Sequence, residues 1–550
     1  MMKRLLALVL AMAMLLSITA CGKDADTEKQ QSTTVAVVTT APSKGTTTTA
    51  DDTTPTDGTT PTDGATDTTA STADTAASTT VTTLVPSSTQ ATISTAVTTP
   101  STAPTKPAVA AKLNGVSLSE YTIVVDEDAL DYTDRAATYI RDEIRTRTGA
   151  ELKIVTDDTA ATKHEIVVGE TNRGISKSLN AKTSGLQFSM MAKDGHVAME
   201  GDYFIIAAAA YYFVTTYITG KTASTAVPTS AQVREPIVEK ANNYIFLIGD
   251  GMGVNHTLLP DEYNLSRFDS EDVEANNFTD GEDFFYGYLF PNQGTARTKN
   301  VYDQVTDSAA SATALATGYK TSNGRIGRDK DKNDLKSLTE MAGDLGMNTA
   351  VMSTEGRKGA TPGGFSAHAD NRDMYDDIVA DQEAMTEKYG TIVDCDYNYY
   401  TGMGINFYLE KAINRTLNTL NQGDKGFFMM YEEAYIDKHS HNQMKEEATW
   451  AVFRFNQAIG LFMEFAFYNP DTMVIITADH ETGNLTDLGG YLKYGHGDHT
   501  AKLVPVFAYG VGTEVFHDKE IENVQIPKTI AKMMGQTLAA DTDSQYPPLN

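Results

Sequence analysis

The sequence predicts an α/β protein: a mostly parallel sheet sandwiched by helices, preceded by a small α/β domain and a disordered stalk. Three observations carry this. From Asn243 onward, short apolar runs end in acidic residues, His or Gly and alternate with helical stretches, the layout of parallel strands covered by helices. Between residues 111 and 236 a shorter set of strand-like and helix-like segments alternates. From about Asp24 to Pro107 the chain is Thr, Ser, Ala, Asp and Pro, which cannot bury enough apolar surface to offset backbone entropy. At 550 residues the chain is too long for one ordinary core, in keeping with a division into parts.

The N-terminus opens with Lys3-Arg4, an apolar run from Leu5 to Leu16, and Ile18-Thr19-Ala20-Cys21. This is a charged segment, an apolar segment and a small-residue cleavage site, hence a secretory signal. The apolar run is shorter than the ~20 residues a membrane span needs. Cys21 after Ile-Thr-Ala resembles the bacterial lipobox, which implies a new N-terminus at Cys21 carrying lipid. The protein is then expected on the extracellular face of a bacterial membrane, held there only by its lipid. The division expected is signal peptide 1–20, linker 21–108, small α/β domain 109–238 and catalytic domain 239–550. In the linker, Thr-Thr-Pro-Thr-Asp-Gly occurs at 53–58 and again at 59–64. A flexible coil of that length has an end-to-end distance of about 50 Å.

A net charge of −29 argues against nucleic acid as a partner. Cys21 and Cys395 are the only cysteines, so lipid on Cys21 leaves no intramolecular disulfide.

In the middle segment the pattern predicts strands at Tyr121–Val125, Leu152–Val155, Glu165–Val168 and His196–Met199. Helices are predicted from Tyr132 to Thr148 and over the apolar stretch Tyr203–Ile218, the latter buried. No acid–base or metal cluster occurs here. The order of elements resembles the small α/β domain that precedes the catalytic domain in some carbohydrate-active enzymes, which implies packing or glycan contact by residues 111–236.

After Asn243, three apolar runs end in carboxylates. Tyr244–Ile248 leads into Gly249-Asp250-Gly251-Met252-Gly253, Phe427–Tyr431 into Glu432, and Met473–Ala478 into Asp479-His480. Ligands in such sheets bind at strand C-termini, and carboxylates gathered there repel one another unless a cation joins them. Asp437 and His441 lie one helical turn apart, and Gly497-Asp498-His499-Thr500 supplies a further imidazole. Mixed nitrogen and oxygen donors favour zinc. His439, His496 and Glu433 compete with their neighbours for these roles. Ser308, within Val305–Ala314, opens a helix of small residues that ends at Gly318. Such a helix N-terminus suits a phosphate, and the competing reading is an N-cap serine.

These motifs, in order and with Ala360-Thr361-Pro362 between them, resemble those of the alkaline phosphatase family over about 243–537. The resemblance implies an alkaline phosphatase-like fold and a broad phosphomonoester hydrolase acting through a phosphoserine at Ser308, with two Zn2+ and one Mg2+. Asp437, His441 and His499 would hold one zinc; Asp250, Asp479 and His480 the second; Asp250, Thr361 and Glu432 the magnesium. Arg372 would grip two phosphate oxygens, and Lys438 would reach phosphate through water. The family offsets select His441, His499 and Glu432 over their competitors. One departure stands out: two residues before Thr361, where the family often has Asp or His, this chain has Gly359. A phosphodiesterase on the same scaffold and a noncatalytic cell-surface glycan-binding protein are the competing functions, and a homodimer is left open. A sulfatase would need Pro and Arg where Ala310 and Ala312 stand.

Overall fold

The computed structural model describes residues 110–179, 181–262, 284–397, 407–538 and 545–550. The signal segment, Cys21 and the linker lie outside the described residues. Everything described below belongs to one unit, Pro100–Asn550.

The smaller sheet contains β1 (Thr122–Val125), β2 (Ile154–Thr156), β3 (Glu165–Val168), β4 (Phe188–Lys193), β5 (His196–Glu200) and β6 (Gln232–Arg234), in the order β2-β1-β3-β5-β4-β6. Pairing is parallel from β2 through β5, and antiparallel where β4 joins β5 and β6. Helix α1 (Asp131–Thr148) stops at Gly149, whose φ of 80° supplies the left-handed C-cap. Helix α2 (Ile205–Tyr217) covers the apolar stretch. Two strands were not anticipated. Strand β4 reads Phe-Ser-Met-Met-Ala-Lys, without a β-branched residue, and it forms because the Asp194-Gly195 turn, with φ of 53° and 86°, folds it back on β5. Strand β6 is only three residues long.

The larger sheet has eight strands: β7 (Asn243–Gly249), β8 (Asn292–Arg297), β9 (Asn348–Ser353), β10 (Ile392–Cys395), β11 (Phe427–Glu433), β12 (Thr472–Thr477), β13 (Val504–Tyr509) and β14 (Glu520–Glu522). Their order is β10-β9-β11-β7-β12-β13-β8-β14. Strands β10 through β12 are parallel neighbours; β13 runs antiparallel to both β12 and β8. Helices α3 (Ser308–Thr317), α4 (Ala360–Ser366), α5 (Tyr435–His441) and α6 (Lys445–Tyr468) belong to this part. Central strands β7, β11 and β12 are buried along their whole length, as a sheet covered on both faces requires. The strand expected to end at Tyr431 runs on through Glu433. No described helix is long and apolar enough to cross a membrane.

The two parts share one hydrophobic cluster. Phe204 stacks on Phe467 of α6 at 5.9 Å and meets Tyr286 edge-on at 5.0 Å. Tyr139 of α1 lies 4.3 Å from Tyr468. Tyr132 leaves no room for a side chain at Gly460: a Cβ there would fall 2.3 Å from its hydroxyl. Arg135 of α1 forks onto buried Glu464 of α6, with Nε and Nη2 each 2.9 Å from a carboxylate oxygen. Replacing Phe204 with Ala removes the ring that joins both halves, so a loss of about 3–5 kcal/mol is expected. Urea unfolding should show this loss in one transition common to both halves; two separated transitions would mean that the halves fold independently.

Candidate active site

Register brings the acidic residues to one place. Ile248 of β7 pairs with Glu432 on one side and Thr477 on the other, and Ser353 of β9 also pairs with Glu432. Asp250 and Asp479 each stand two residues beyond that level, at the C-terminal edge. The chain turns at Gly251, whose φ is 75° and whose missing Cβ would fall 2.7 Å from Cα of Asp437. Glycine is required there on both counts. The Gly251 N–H donates to Asp479 Oδ1 at 3.1 Å.

One cluster consists of Asp437, His441 and His499. His441 Nδ1 lies 2.5 Å from the carbonyl of Gly497, and His499 Nδ1 lies 3.0 Å from that of Thr306. A carbonyl only accepts, so each Nδ1 carries the hydrogen and each neutral ring aims its Nε2 lone pair inward. The two Nε2 atoms are 3.0 Å apart, and Asp437 oxygens lie 3.3 and 3.4 Å from them. Lone pairs converging in this way fit a cation, with the Nδ1 hydrogen bonds fixing ring orientation.

The second cluster, Asp250, Asp479 and His480, is fully buried. The Thr482 hydroxyl donates to Asp437 Oδ1 at 2.5 Å and so accepts from His480 Nδ1 at 3.2 Å. His480 Nε2 therefore also presents a lone pair, 3.2 Å from Asp479 Oδ2 and 3.5 Å from Asp250 Oδ1. Both of those oxygens are buried without a hydrogen-bond partner. An uncompensated pair of carboxylate charges 4 Å apart costs roughly 4 kcal/mol at an effective dielectric of 20. The donor set thus fits a divalent ion. Thr482 links the two clusters and was not singled out from the sequence; its only signal was its position two residues after His480.

Ser308 Oγ lies 3.1 Å from His480 Nε2. It is the first residue of α3, and the N-cap is Asp307, whose carboxylate accepts from Ala310 N–H at 2.9 Å. The capping role that competed for Ser308 therefore belongs to its neighbour, and the serine hydroxyl is left facing the second cluster. Helix α3 is held against the end of β12 by Ser311, which donates to the Asp479 carbonyl at 2.5 Å. Every residue of α3 is buried, and its small side chains let α4 approach: a Cβ on Gly364 would fall 2.8 Å from that of Ala312.

Thr361 and Glu432 come together at a third point. Glu432 Oε2 accepts from Ser353 Oγ, whereas Glu432 Oε1 and Thr361 Oγ1 are buried without a hydrogen-bond partner. Oxygen donors of this kind fit magnesium. Glu433 points to the opposite face of β11 and is engaged by Arg454, with Nε and Nη2 at 2.6 and 2.5 Å. His439 lies against Tyr435 with the rings tilted at 44°, and half-buried His496 accepts from Asp498 N–H; neither joins a cluster. Arg372 lies near Ser308 through Asp307, with Nη1 3.4 Å from Asp307 Oδ2. Lys438 Nζ donates to Glu355 at 2.6 Å.

Burial, reinforced by the neighbouring carboxylates, pushes Asp250 well above the usual range. Burial pushes Asp479 up to about 6 and drives His480 well below an ordinary imidazole. Asp437 behaves oppositely: burial works against its charge, but His441 and His499 hold it well below the usual carboxylate range. The hydrogen bond to Asp437 raises His441; for His499 burial opposes the rise, and the bond to Asp437 prevails. In the metal-free protein, stability from these raised histidines is complete below the unfolded pKa of about 6.5 and is lost as pH rises through the higher folded values. Stability from Asp437 is present above about 3.9 and is lost as pH falls through its depressed value. Zinc must displace the histidine protons. Uptake by Asp437, His441 and His499 should therefore release about one to two protons per ion near pH 6.5, and affinity should fall with pH from above that point. Calorimetry in buffers of different ionisation enthalpy measures this, and uptake without proton release at pH 6.5 would contradict ligation through the two Nε2 atoms.

The alkaline phosphatase family model matches residues 241–399 and 405–497. Alkaline phosphatase 4 of Bacillus subtilis is 29% identical over 327 residues, covering 48% of this chain and 67% of its own length. Alkaline phosphatase 3 of the same organism is 26% identical over 357 residues, 56% of this chain and 74% of that one. Among solved structures, alkaline phosphatase from the Antarctic bacterium TAB5 is 26% identical, covers 54% of this chain and 99% of its own, and has a TM-score of 0.45. The matched stretch carries Ser308 and every residue of the two clusters except His499; over that stretch the chain is similar to alkaline phosphatases, and the likeness supports a hydrolase.

Proposed function

We propose that the chain hydrolyses phosphate monoesters through a phosphoserine on Ser308, at a centre for two zinc ions and one magnesium ion. The observation that carries this is the placement of Ser308 Oγ 3.1 Å from His480 Nε2, free of the capping role that Asp307 performs. Asp437, His441 and His499 would hold one zinc, Asp250, Asp479 and His480 the other, and Asp250, Thr361 and Glu432 the magnesium. When bound, such ions lower the pKa of a coordinated hydroxyl, offset charge on the leaving oxygen and bring the anionic substrate among the carboxylates.

The remaining work falls to the chain's own groups. Ser308 Oγ gives up its proton and attacks phosphorus in line as the ester oxygen departs, taking up a proton to leave as the alcohol. The positive end of α3 favours the phosphate at that place. The Arg372 side chain makes one hydrogen bond among the described residues, to Asp307, which leaves its fork for two nonbridging oxygens. Water then attacks the phosphoserine from the side that the leaving group vacated, releasing phosphate and restoring Ser308. Two inversions leave the configuration at phosphorus retained.

A Ser308–His480 pair alone would also fit a metal-free general base. The partnerless oxygens of Asp250 and Asp479 beside the same Nε2 favour a cation instead. We further propose that lipid on Cys21 anchors the enzyme outside the cell, and that residues 111–236 serve chiefly to pack against α6.

Purified protein assayed on a monoester, a diester and a sulfate ester should prefer the monoester and lose activity to a chelator; full activity in the chelator would sink the metal reading. Ser308→Ala should abolish acid-quenched phosphoenzyme and cut turnover by at least about 10³-fold, with zinc content unchanged. Label persisting on that variant would remove Ser308 as the nucleophile. Arg372→Ala should cost about 10²-fold on monoesters and less on diesters, which lack one of the terminal oxygens. An equal loss on both would remove the proposed grip.

A further inference from the structure

Residue 359 stands two positions before Thr361 and is glycine. A Cβ added there would fall 1.8 Å from Oε1, 2.2 Å from Cδ and 2.8 Å from Cγ of Glu355. The Glu355 carboxyl thus occupies the space in which a side chain at 359 would begin. Glu355 comes from the chain just beyond β9, and its own N–H donates to Ser353 Oγ at 3.0 Å. That same Ser353 hydroxyl donates to Glu432 Oε2. Glu355 Oε2 accepts from Lys438 Nζ at 2.6 Å, one residue after Asp437. The neighbouring donors Glu432 Oε1 and Thr361 Oγ1 are buried with no partner of their own.

We infer that Glu355 is the remaining carboxylate of the magnesium site, delivered from the end of β9 into the space that Gly359 leaves open, with Lys438 as its counter-charge. The inference rests on the reading of Thr361 and Glu432 as magnesium donors. Charge supports it: Glu432 and Glu355, with Asp250 shared with the second zinc and only the Lys438 ammonium opposing them, leave a net negative site that suits Mg2+. Glycine at 359 is then a condition of the site rather than a loss from it. The backbone there is not in the left-handed region, with φ of −60°, so conformation alone does not demand glycine. The constraint is the room that Glu355 takes.

The test uses the full chain loaded with zinc, titrated with Mg2+ by calorimetry and with Mn2+ by electron paramagnetic resonance. Glu355→Ala should weaken Mg2+ binding about 10- to 100-fold at unchanged zinc content. Gly359→Ala should do the same, because its methyl displaces the carboxyl. Glu355→Ala combined with Gly359→Asp should recover most of the loss, since truncation removes the three Glu355 atoms that lie nearest a Cβ at 359. Glu355→Gln, which keeps the shape, serves if the alanine variant does not fold, and should also weaken binding about 10-fold. Mg2+ binding of wild-type strength in Glu355→Gln or Gly359→Ala would overturn the inference, as would a zinc-loaded wild type that takes up neither Mg2+ nor Mn2+. None of these outcomes bears on phosphoenzyme formation at Ser308, so failure here is distinguishable from failure of the phosphatase reading.

Discussion

Four carboxylates, those of Asp250, Glu432, Asp437 and Asp479, are buried at one sheet edge together with an imidazole that is also fully buried. Protons cannot satisfy all of them together. Asp437 is held ionised by His441 and His499, whereas Asp250, Glu432 and Asp479 are driven toward the neutral acid by burial and by one another or Glu355. A divalent ion resolves the conflict, because it removes the repulsion and accepts the lone pairs that the Nδ1 hydrogen bonds turn inward. Much of the local backbone can be understood from this requirement. Gly251 lets the chain reverse against Asp437, and Ser311 and Thr482 tie the helix that carries Ser308 and the two clusters to the same strand end.

Behind that edge, support is continuous with the smaller sheet. Glu433, the neighbour of a proposed metal donor, is locked by Arg454 of α6, and the same helix receives Arg135 through Glu464. Breaking a buried pair such as Arg454–Glu433 costs about 3–5 kcal/mol, and the partly exposed Arg135 adds a weaker tie on the other side of α6. The smaller sheet thus has a mechanical relation to the site without contributing a donor to either cluster. It also completes a core that no disulfide reinforces, because Cys395 is the one cysteine among the described residues and is unpaired.

Much of this was legible in the sequence, for physical reasons that differ by element. Glu165–Val168 and the α1 helix were readable because a continuous β-branched run and a 3.6-residue period leave little ambiguity. Strand β4 was not, since methionine and alanine carry no strand signal, although the Asp194-Gly195 turn did. In the site, Asp437 and His441 could be paired by helical spacing alone. The contest between Glu432 and Glu433 could not be decided that way: adjacent residues in a strand face opposite sides, and which side holds the donors depends on β9 and α4, far away in sequence. Ser308 was ambiguous for a related reason, as a serine before a run of alanines reads equally as a cap, and only the Asp307 hydrogen bond to Ala310 separates the roles.

Gly359 shows how a departure from a motif can mislead when position is taken for function. What a metal site needs is a carboxylate at a point in space, and a loop can deliver it from more than one residue. Between Ser353 and Ala360 the chain leaves β9 and enters α4, and a longer side chain from the start of that loop reaches the place that a shorter one at its end would fill. The two solutions exclude each other, because both side chains cannot occupy the same volume. Glutamate at 355 therefore favours glycine at 359, and substitutions at these positions should be judged as a pair. Considered singly, Gly359 looks like a missing ligand and Glu355 like an ordinary partner for Lys438. Considered together, they conserve the charge beside Thr361 and Glu432 while changing the residue that supplies it.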